Sequence, residues 1–102
     1  MVKILLICAA GMSTSLVVKR MKEIAPEGTI IEYGTGSEVE NKIKDFDVVL
    51  VGPQLRYKKD QLLEMAEKNN VPIDFIDVVT YGRIMTEKIY QQALDTYEKG
   101  KK

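Results

Sequence analysis

An alternation of short apolar runs with longer amphipathic runs is the feature that most constrains how this chain folds. Strands are predicted over residues 3–8, 29–33, 47–51 and 73–76, because these runs are apolar and rich in β-branched residues. Helices are predicted over 13–25, from a capping box at 37–40 onward, over 58–68, and from about 82 to 97. Strand–helix units in alternation indicate an α/β fold with a parallel sheet.

The apolar content of the strands predicts their order in the sheet. The first and third strands are the most apolar, as is typical of strands buried on both faces, so we expect them at the centre. The prediction is a single open four-stranded parallel sheet, order 2-1-3-4, with helices on both faces, as in phosphatase-like and flavodoxin-like three-layer sandwiches. Pro72 and the flanking aspartates place the fourth strand at an edge. Residues 1–102 are expected to form one domain, with 98–102 as a frayed tail.

Composition argues against several classes of function. The 15 basic residues balance 15 acidic ones, whereas a nucleic-acid binder usually has a basic excess. There is no histidine and only one cysteine, Cys8, so we expect no metal site, no cofactor and no intramolecular disulfide. The longest apolar stretch, 4–12, is too short to insert across a bilayer, and no signal peptide is recognised, which predicts a cytoplasmic protein.

The segment between the first strand and the first helix carries the candidate chemistry. Its small residues allow backbone N–H groups to turn inward around an anion, and the N-terminus of the next helix adds unpaired N–H groups and a favourable dipole. A thiol beside such a site ionises more easily than an ordinary one. We therefore expect Cys8 to be a nucleophile next to a phosphate-binding loop formed by Ala9, Ala10, Gly11, Met12, Ser13, Thr14 and Ser15.

Simpler interpretations of this segment remain open. The loop has neither the Gly-Lys-Ser/Thr ending of a Walker A motif nor the three glycines of a dinucleotide-binding motif. A single cysteine at a strand end is often only a small buried hydrophobic residue. Met12, at the tip of the loop, suits a docking surface as well as it suits the core.

The cysteine loop resembles the active-site segment of IIB components of the bacterial sugar phosphotransferase system, of the lactose/cellobiose/chitobiose type. Val-Gly-Pro-Gln at 51–54 and Tyr81-Gly82 are also similar to that family, and the resemblance extends over nearly the whole chain. It implies a phosphoryl carrier in which Cys8 takes a phosphoryl group from a phosphohistidine of a IIA protein. Cys8 then passes the group to a disaccharide, of the cellobiose or chitobiose class, that enters through the membrane permease IIC.

Two other functions compete with this interpretation. A small cysteine-dependent phosphatase has a similar loop, but its loop ends in an arginine where this chain has Thr14, and Arg20 lies two turns further along the helix. Asp77 is the only carboxylate near the end of the fourth strand that fits the acid such an enzyme needs. A non-catalytic anion-binding module is the second alternative. A thiol sealed in the interior with no anion-sized hollow beside it would contradict the carrier.

Gln54 and Tyr81 are candidate accessory residues, since both follow strands that end near the proposed site. Gln54 lies in Gly-Pro-Gln, which also fits a turn that simply ends the third strand. Tyr81 fits a donor to a phosphoryl oxygen or, more simply, a packing residue. The basic residues at 56, 58 and 59 fit a solvated helix start better than a nucleic-acid surface.

Overall fold

The computed structural model describes residues 2–8, 12–36 and 38–100, without the side chains of residues 12–14. The strands are β1 (Lys3–Ile7), β2 (Ile30–Gly34), β3 (Val48–Val51) and β4 (Ile73–Phe75). The helices are α1 (Met12–Ile24), α2 (Val39–Lys42), α3 (Lys59–Lys68), α4 (Val78–Gly82) and α5 (Thr86–Gly100). Short 3-10 helices, Ile43–Asp45 and Pro53–Lys58, follow α2 and β3.

The sheet confirms the predicted topology. Its order is β2-β1-β3-β4, and every neighbouring pair is parallel. In the register of the central strand, Ile7 lies opposite Gly34 on one side and Val51 on the other. The ends of β1, β2 and β3 therefore lie at the same height, at the edge of the sheet where open α/β folds bind ligands.

The alternation of side chains along β1 builds a core on each face of the sheet. Ile4, Leu6 and Cys8 belong to the cluster that packs under α1 and α5. Leu5 and Ile7 belong to the cluster that packs under α2 and α3. The residues of β1 from Ile4 onward are fully buried, as a strand covered by helices on both faces requires. This is the expected three-layer arrangement.

Asn69 and Asn70 end α3. Asn70 adopts a left-handed conformation (φ 57°) directly after the helix. Its N–H donates to the Glu67 carbonyl, and the N–H of Val71 donates to the Ala66 carbonyl. This pair of bonds is the Schellman motif, which favours glycine or asparagine at the left-handed position.

The predicted helix from about 82 to 97 corresponds to α5 (Thr86–Gly100), but α4 (Val78–Gly82), which precedes it, was not predicted. Asp77 caps a short helix, α4, and its carboxylate accepts from the N–H groups of Val79 and Thr80. A second Schellman motif then ends α4 at Ile84, a β-branched residue with φ of 50°. Residues Glu98 to Gly100, expected in a frayed tail, are helical in α5.

The buried face of α3 carries Leu62 and Ala66, whereas Leu63 of the same helix is 38% exposed. The capping box depended on Ser37, which lies outside the described residues. Glu38 occupies the N-cap position of α2 without a side-chain cap, and its carboxylate instead accepts from the N–H and hydroxyl of Thr35.

Candidate functional site

Cys8 lies directly after β1, at the point where the chain connections diverge to opposite sides of the sheet. Its N–H donates to the Gly34 carbonyl (3.1 Å), which extends the β1–β2 pairing by one residue. On the other side, the N–H of Gly52 donates to the Ile7 carbonyl (2.8 Å). The backbone of Cys8 is thus held between the ends of β2 and β3, at the edge of the sheet where open α/β folds bind ligands.

Helix α1 begins at Met12, so only residues 9–11 separate its first turn from Cys8. Those three residues, which include Ala9, Ala10 and Gly11 of the predicted phosphate loop, lie outside the described residues. Ser13, Thr14 and Ser15 belong to the first turn of α1, and Ser15 is exposed. The first N–H groups of a helix have no partner within it, which makes this turn a suitable place for an anion.

The Cys8 side chain is more deeply placed than the sequence suggested. It is only 1% exposed and belongs to the core cluster that also contains Ile76 and Tyr81. The thiol therefore lies in the core rather than at the surface, because the end of β1 continues into the core layer under α1. Residues 9–11, where the anion-sized hollow beside the sulfur is expected, lie outside the described residues.

Gly52 leaves space for the Cys8 thiol because it has no side chain. Its backbone is extended (φ −68°, ψ 156°), a conformation that any residue adopts. A Cβ there would lie 2.6 Å from the Cys8 Sγ and 2.7 Å from the Gln54 Oε1. Both distances are shorter than real contacts of a Cβ, so glycine is needed here for space rather than for conformation.

Gln54 therefore lies at the cysteine. The Oε1 of Gln54 and the Sγ of Cys8 both lie beside the position that a Cβ on Gly52 would take. These two atoms are therefore no further apart than the sum of their distances to that position. The Gly-Pro-Gln segment does end β3, with the N–H of Leu55 donating to the Gly52 carbonyl (3.1 Å). It also brings an exposed carboxamide next to a buried thiol, which a simple strand end would not require.

Tyr81 belongs to the same face of the sheet as the cysteine. It lies on α4, is 4% exposed and belongs to the same core cluster as Cys8. Its ring therefore packs in the core on the face of the sheet that also holds the thiol. Sequence reasoning placed Tyr81 near the site but missed the helix that carries it.

Asp77, the candidate acid of a phosphatase, serves as the N-cap of α4. Besides the two backbone N–H groups, the hydroxyl of Thr80 donates to its carboxylate. The hydrogen bonds from the Thr80 hydroxyl and the Thr80 N–H hold the pKa of the Asp77 carboxyl below its ordinary value. A carboxyl that is this readily ionised is poorly suited to protonate a leaving group. Arg20 lies exposed on α1, beyond the first turn.

Exposed apolar residues follow β3 and β4 at the same edge of the sheet, a feature that the sequence reasoning missed. They are Tyr57 (79% exposed), Val78 (64%) and Val79 (57%). The Lys58 Nζ lies 5.9 Å from the centre of the Tyr57 ring. The sequence signal for this apolar surface is the β-branched pair Val78-Val79, which lies between the predicted fourth strand and the predicted last helix.

Within 2–8, 12–36 and 38–100, no cluster of three or more cysteine and acidic residues is arranged to hold a metal ion. In the same part of the chain, no helix has both the length and the apolar character needed to cross a membrane.

The fold and the site define a class: a parallel α/β domain with a single cysteine between the first strand and the first helix. A family model described as "PTS system, Lactose/Cellobiose specific IIB subunit" matches residues 3–92. The chain belongs to this family of the phosphotransferase system. Its members are phosphotransferases that act in sugar uptake, so this protein is a IIB component for sugars of the lactose/cellobiose type.

Curated relatives agree with the family model. The chain is 41% identical over 98 residues to an oligo-beta-mannoside-specific EIIB component of Bacillus subtilis, covering 92% of this chain and 94% of the relative. It is 37% identical to a galactose-specific EIIB component of Lactococcus lactis subsp. cremoris, covering 88% and 91%. A cellobiose-specific EIIB component of Lactococcus lactis subsp. lactis is 36% identical, with the same coverage.

Solved structures show the same architecture. A cellobiose-specific IIB component from Borrelia burgdorferi superimposes with a TM-score of 0.80 at 34% identity, covering 97% of this chain and 94% of that one. The lactose-specific IIB domain from Streptococcus pneumoniae superimposes with a TM-score of 0.78, covering 94% and 97%. At 18% identity, the second similarity shows the fold alone.

Proposed function

We propose that Cys8 is the residue that carries the phosphoryl group. Its sulfur would take the group from a phosphohistidine of a IIA protein and pass it to a disaccharide bound by the membrane permease IIC. The observation that supports this most is the position of Cys8, directly after a central strand and separated by three residues from the first residue of α1. The chain contains no histidine and no second cysteine, so the partner supplies the histidine.

The relay consists of two substitutions at phosphorus. The Cys8 thiolate forms an S–P bond while the P–N bond of the phosphohistidine breaks, and the imidazole leaves with its electron pair and takes up a proton. A sugar hydroxyl then forms an O–P bond while the S–P bond breaks, which restores the thiolate and releases the hydroxyl proton. Both steps depend mainly on alignment and on stabilising charge at the phosphoryl oxygens.

Residues 9–15 would supply that stabilisation. The first-turn N–H groups of α1 and the backbone of the preceding loop can donate to the phosphoryl oxygens, and the helix dipole favours their negative charge. Tyr81 and Gln54 are proposed as accessory residues, Tyr81 through its hydroxyl or its packing and Gln54 through its carboxamide. Such a relay operates on the cytoplasmic side of the membrane, where we place the domain.

The substrate is proposed to be a β-linked disaccharide of the cellobiose/chitobiose class. Two of the relatives are named for β-linked sugars, cellobiose and oligo-β-mannosides, and the first of these names agrees with the class that the cysteine loop suggested. The galactose-specific relative marks the competing possibility. Sugar uptake by cells that carry the matching permease, measured with each sugar in turn, distinguishes them.

The phosphatase alternative is weakened by two observations. Thr14 stands where that class of enzyme has an arginine, and Asp77 is committed to capping α4 with a lowered pKa. Slow hydrolysis of the phosphocysteine is what a carrier needs, because a group lost to water does not reach the sugar.

Reconstitution of the relay tests the proposal. The protein is incubated with phosphoenolpyruvate, the general phosphotransfer proteins and a IIA partner, and intact mass is followed. We expect the mass to increase by one phosphoryl group, and Cys8→Ala to gain none. Ordinary enzymatic turnover of an aryl phosphate would instead support the phosphatase. Neither reaction, together with an unshifted thiol pKa, would support the anion-binding module.

A further inference from the structure

The carboxamide of Gln54 stands on a fixed backbone next to the thiol. Pro53 occupies the first position of the 3-10 helix and restricts the backbone before Gln54. Leu55, directly after it, is 5% exposed and anchored in the core under α3. Since the Gln54 side chain itself is exposed, its amide can rotate while its point of attachment remains in place.

The amide is available for a ligand. Among the described residues, no hydrogen bond uses the Gln54 side chain. Its Oε1 lies 2.7 Å from the position that a Cβ on Gly52 would take, and the Cys8 Sγ lies 2.6 Å from the same position. A half turn of a carboxamide exchanges its oxygen for an NH₂ group with two donors. Depending on the rotation of its amide, Gln54 can therefore present either its accepting oxygen or its donating NH₂ group to the side of the thiol.

From this geometry we propose that Gln54 donates an N–H to the phosphoryl group on Cys8 and so holds and shields the phosphocysteine. The inference depends on the proposed function, since it names a contact of the same site. A phosphoryl group adds nearly two negative charges, and an uncharged donor on the solvent side stabilises them. A carboxylate at the same position would repel both the thiolate and the incoming group.

Substitutions at Gln54 test this, with Gln61 as the matched control because it is an exposed glutamine on α3. Gln54→Ala should shorten the half-life of the phosphocysteine several-fold after the relay proteins are removed. Gln54→Glu should slow loading by about tenfold, the size of effect of a lost charge-assisted hydrogen bond. Gln61→Ala and Gln61→Glu should leave both quantities unchanged.

A second measurement separates this inference from the proposed function. The rate of thiol alkylation is followed against pH in the unphosphorylated protein, which needs no partner. Gln54→Glu should shift the thiol pKa upward by about one unit, while Gln61→Glu should not shift it. If the wild-type protein takes no phosphoryl group, the proposed function fails, but this pH profile still reports the contact. Profiles and half-lives of the Gln54 variants that match the Gln61 variants would overturn the inference.

Discussion

Gly52 lies so close to Cys8 that a single added methyl group would lie 2.6 Å from the thiol sulfur. The two residues follow the neighbouring strands β3 and β1, and the N–H of Gly52 donates to the carbonyl of the residue before Cys8. The space around the sulfur is therefore determined by the sheet pairing itself. That relationship makes the position of the thiol sensitive to the smallest possible substitution.

Gly52→Ala should displace the Cys8 side chain and the Gln54 amide together. Forcing a methyl group into this contact is expected to cost about 1–3 kcal/mol of unfolding free energy and to slow phosphocysteine formation. Urea denaturation and intact mass in the relay measure the two effects. The control is Gly82→Ala, because a Cβ at Gly82 meets nothing within 4 Å. This control should leave loading intact, and equal loading in both variants would contradict the contact.

Asp77→Ala should destabilise the protein in a pH-dependent manner, because it removes the N-cap of α4. The folded-state pKa of Asp77 is lowered, so the carboxylate contributes stability above its ordinary pKa and loses it as the pH falls through the folded-state value. The difference between wild type and variant should therefore be constant near neutral pH and shrink in acid.

Urea unfolding at a series of pH values checks this behaviour. Asp77→Asn is the control, since an amide oxygen can still cap the helix but does not titrate in this range. A wild-type advantage over Asp77→Ala that persists unchanged at low pH would contradict the role of the ionised carboxylate. Phosphocysteine lifetime should be the same in Asp77→Asn and wild type, because Asp77 does not act as an acid in the carrier.

Tyr81→Phe distinguishes an accessory hydroxyl from a packing ring. The ring is 4% exposed, and phenylalanine preserves its volume, so the unfolding free energy should fall by no more than about 1.5 kcal/mol. If the hydroxyl assists transfer, loading of Cys8 should slow several-fold. Rapid-quench kinetics with the IIA partner measures this, and an unchanged rate would assign Tyr81 to packing alone.

Phosphorylation should protect the backbone amides of residues 9–15 from hydrogen exchange. The added charge binds N–H groups at the loop and the first turn of α1, so these amides should exchange more slowly in the loaded protein. Exchange followed by mass spectrometry on peptides from this segment provides the measurement, with a peptide from α5 as the internal reference. Equal exchange in both states would count against the proposed anion cradle.

The fold was largely predictable because its determinants are local and periodic. The apolar runs at β1 and β3 predicted their central place, and Asn70 marked the end of α3 through its left-handed conformation. The short helix α4, which lies before the predicted last helix, was not predicted. It ends at Ile84, whose left-handed position normally signals glycine or asparagine, so the sequence carried no sign of a helix end there.

The site was predictable in position but not in depth. The placement of Cys8 after β1 follows from strand order, whereas its burial depends on how α1, α4 and α5 close over that face of the sheet. The contact between Gly52 and the thiol likewise arises from two strands distant in sequence. Spacing along the chain contains no information on such a distance, which is why Gly-Pro-Gln could equally be interpreted as a simple turn.

Intact-mass spectrometry of the protein after incubation with phosphoenolpyruvate, the general phosphotransfer proteins and a IIA partner tests the central claim most directly. The account predicts one added phosphoryl group, located on Cys8 by fragmentation and released when the permease and a β-linked disaccharide are supplied. A phosphoryl group on any other residue, or none on the folded wild-type protein while the same relay loads a IIB relative, would contradict it.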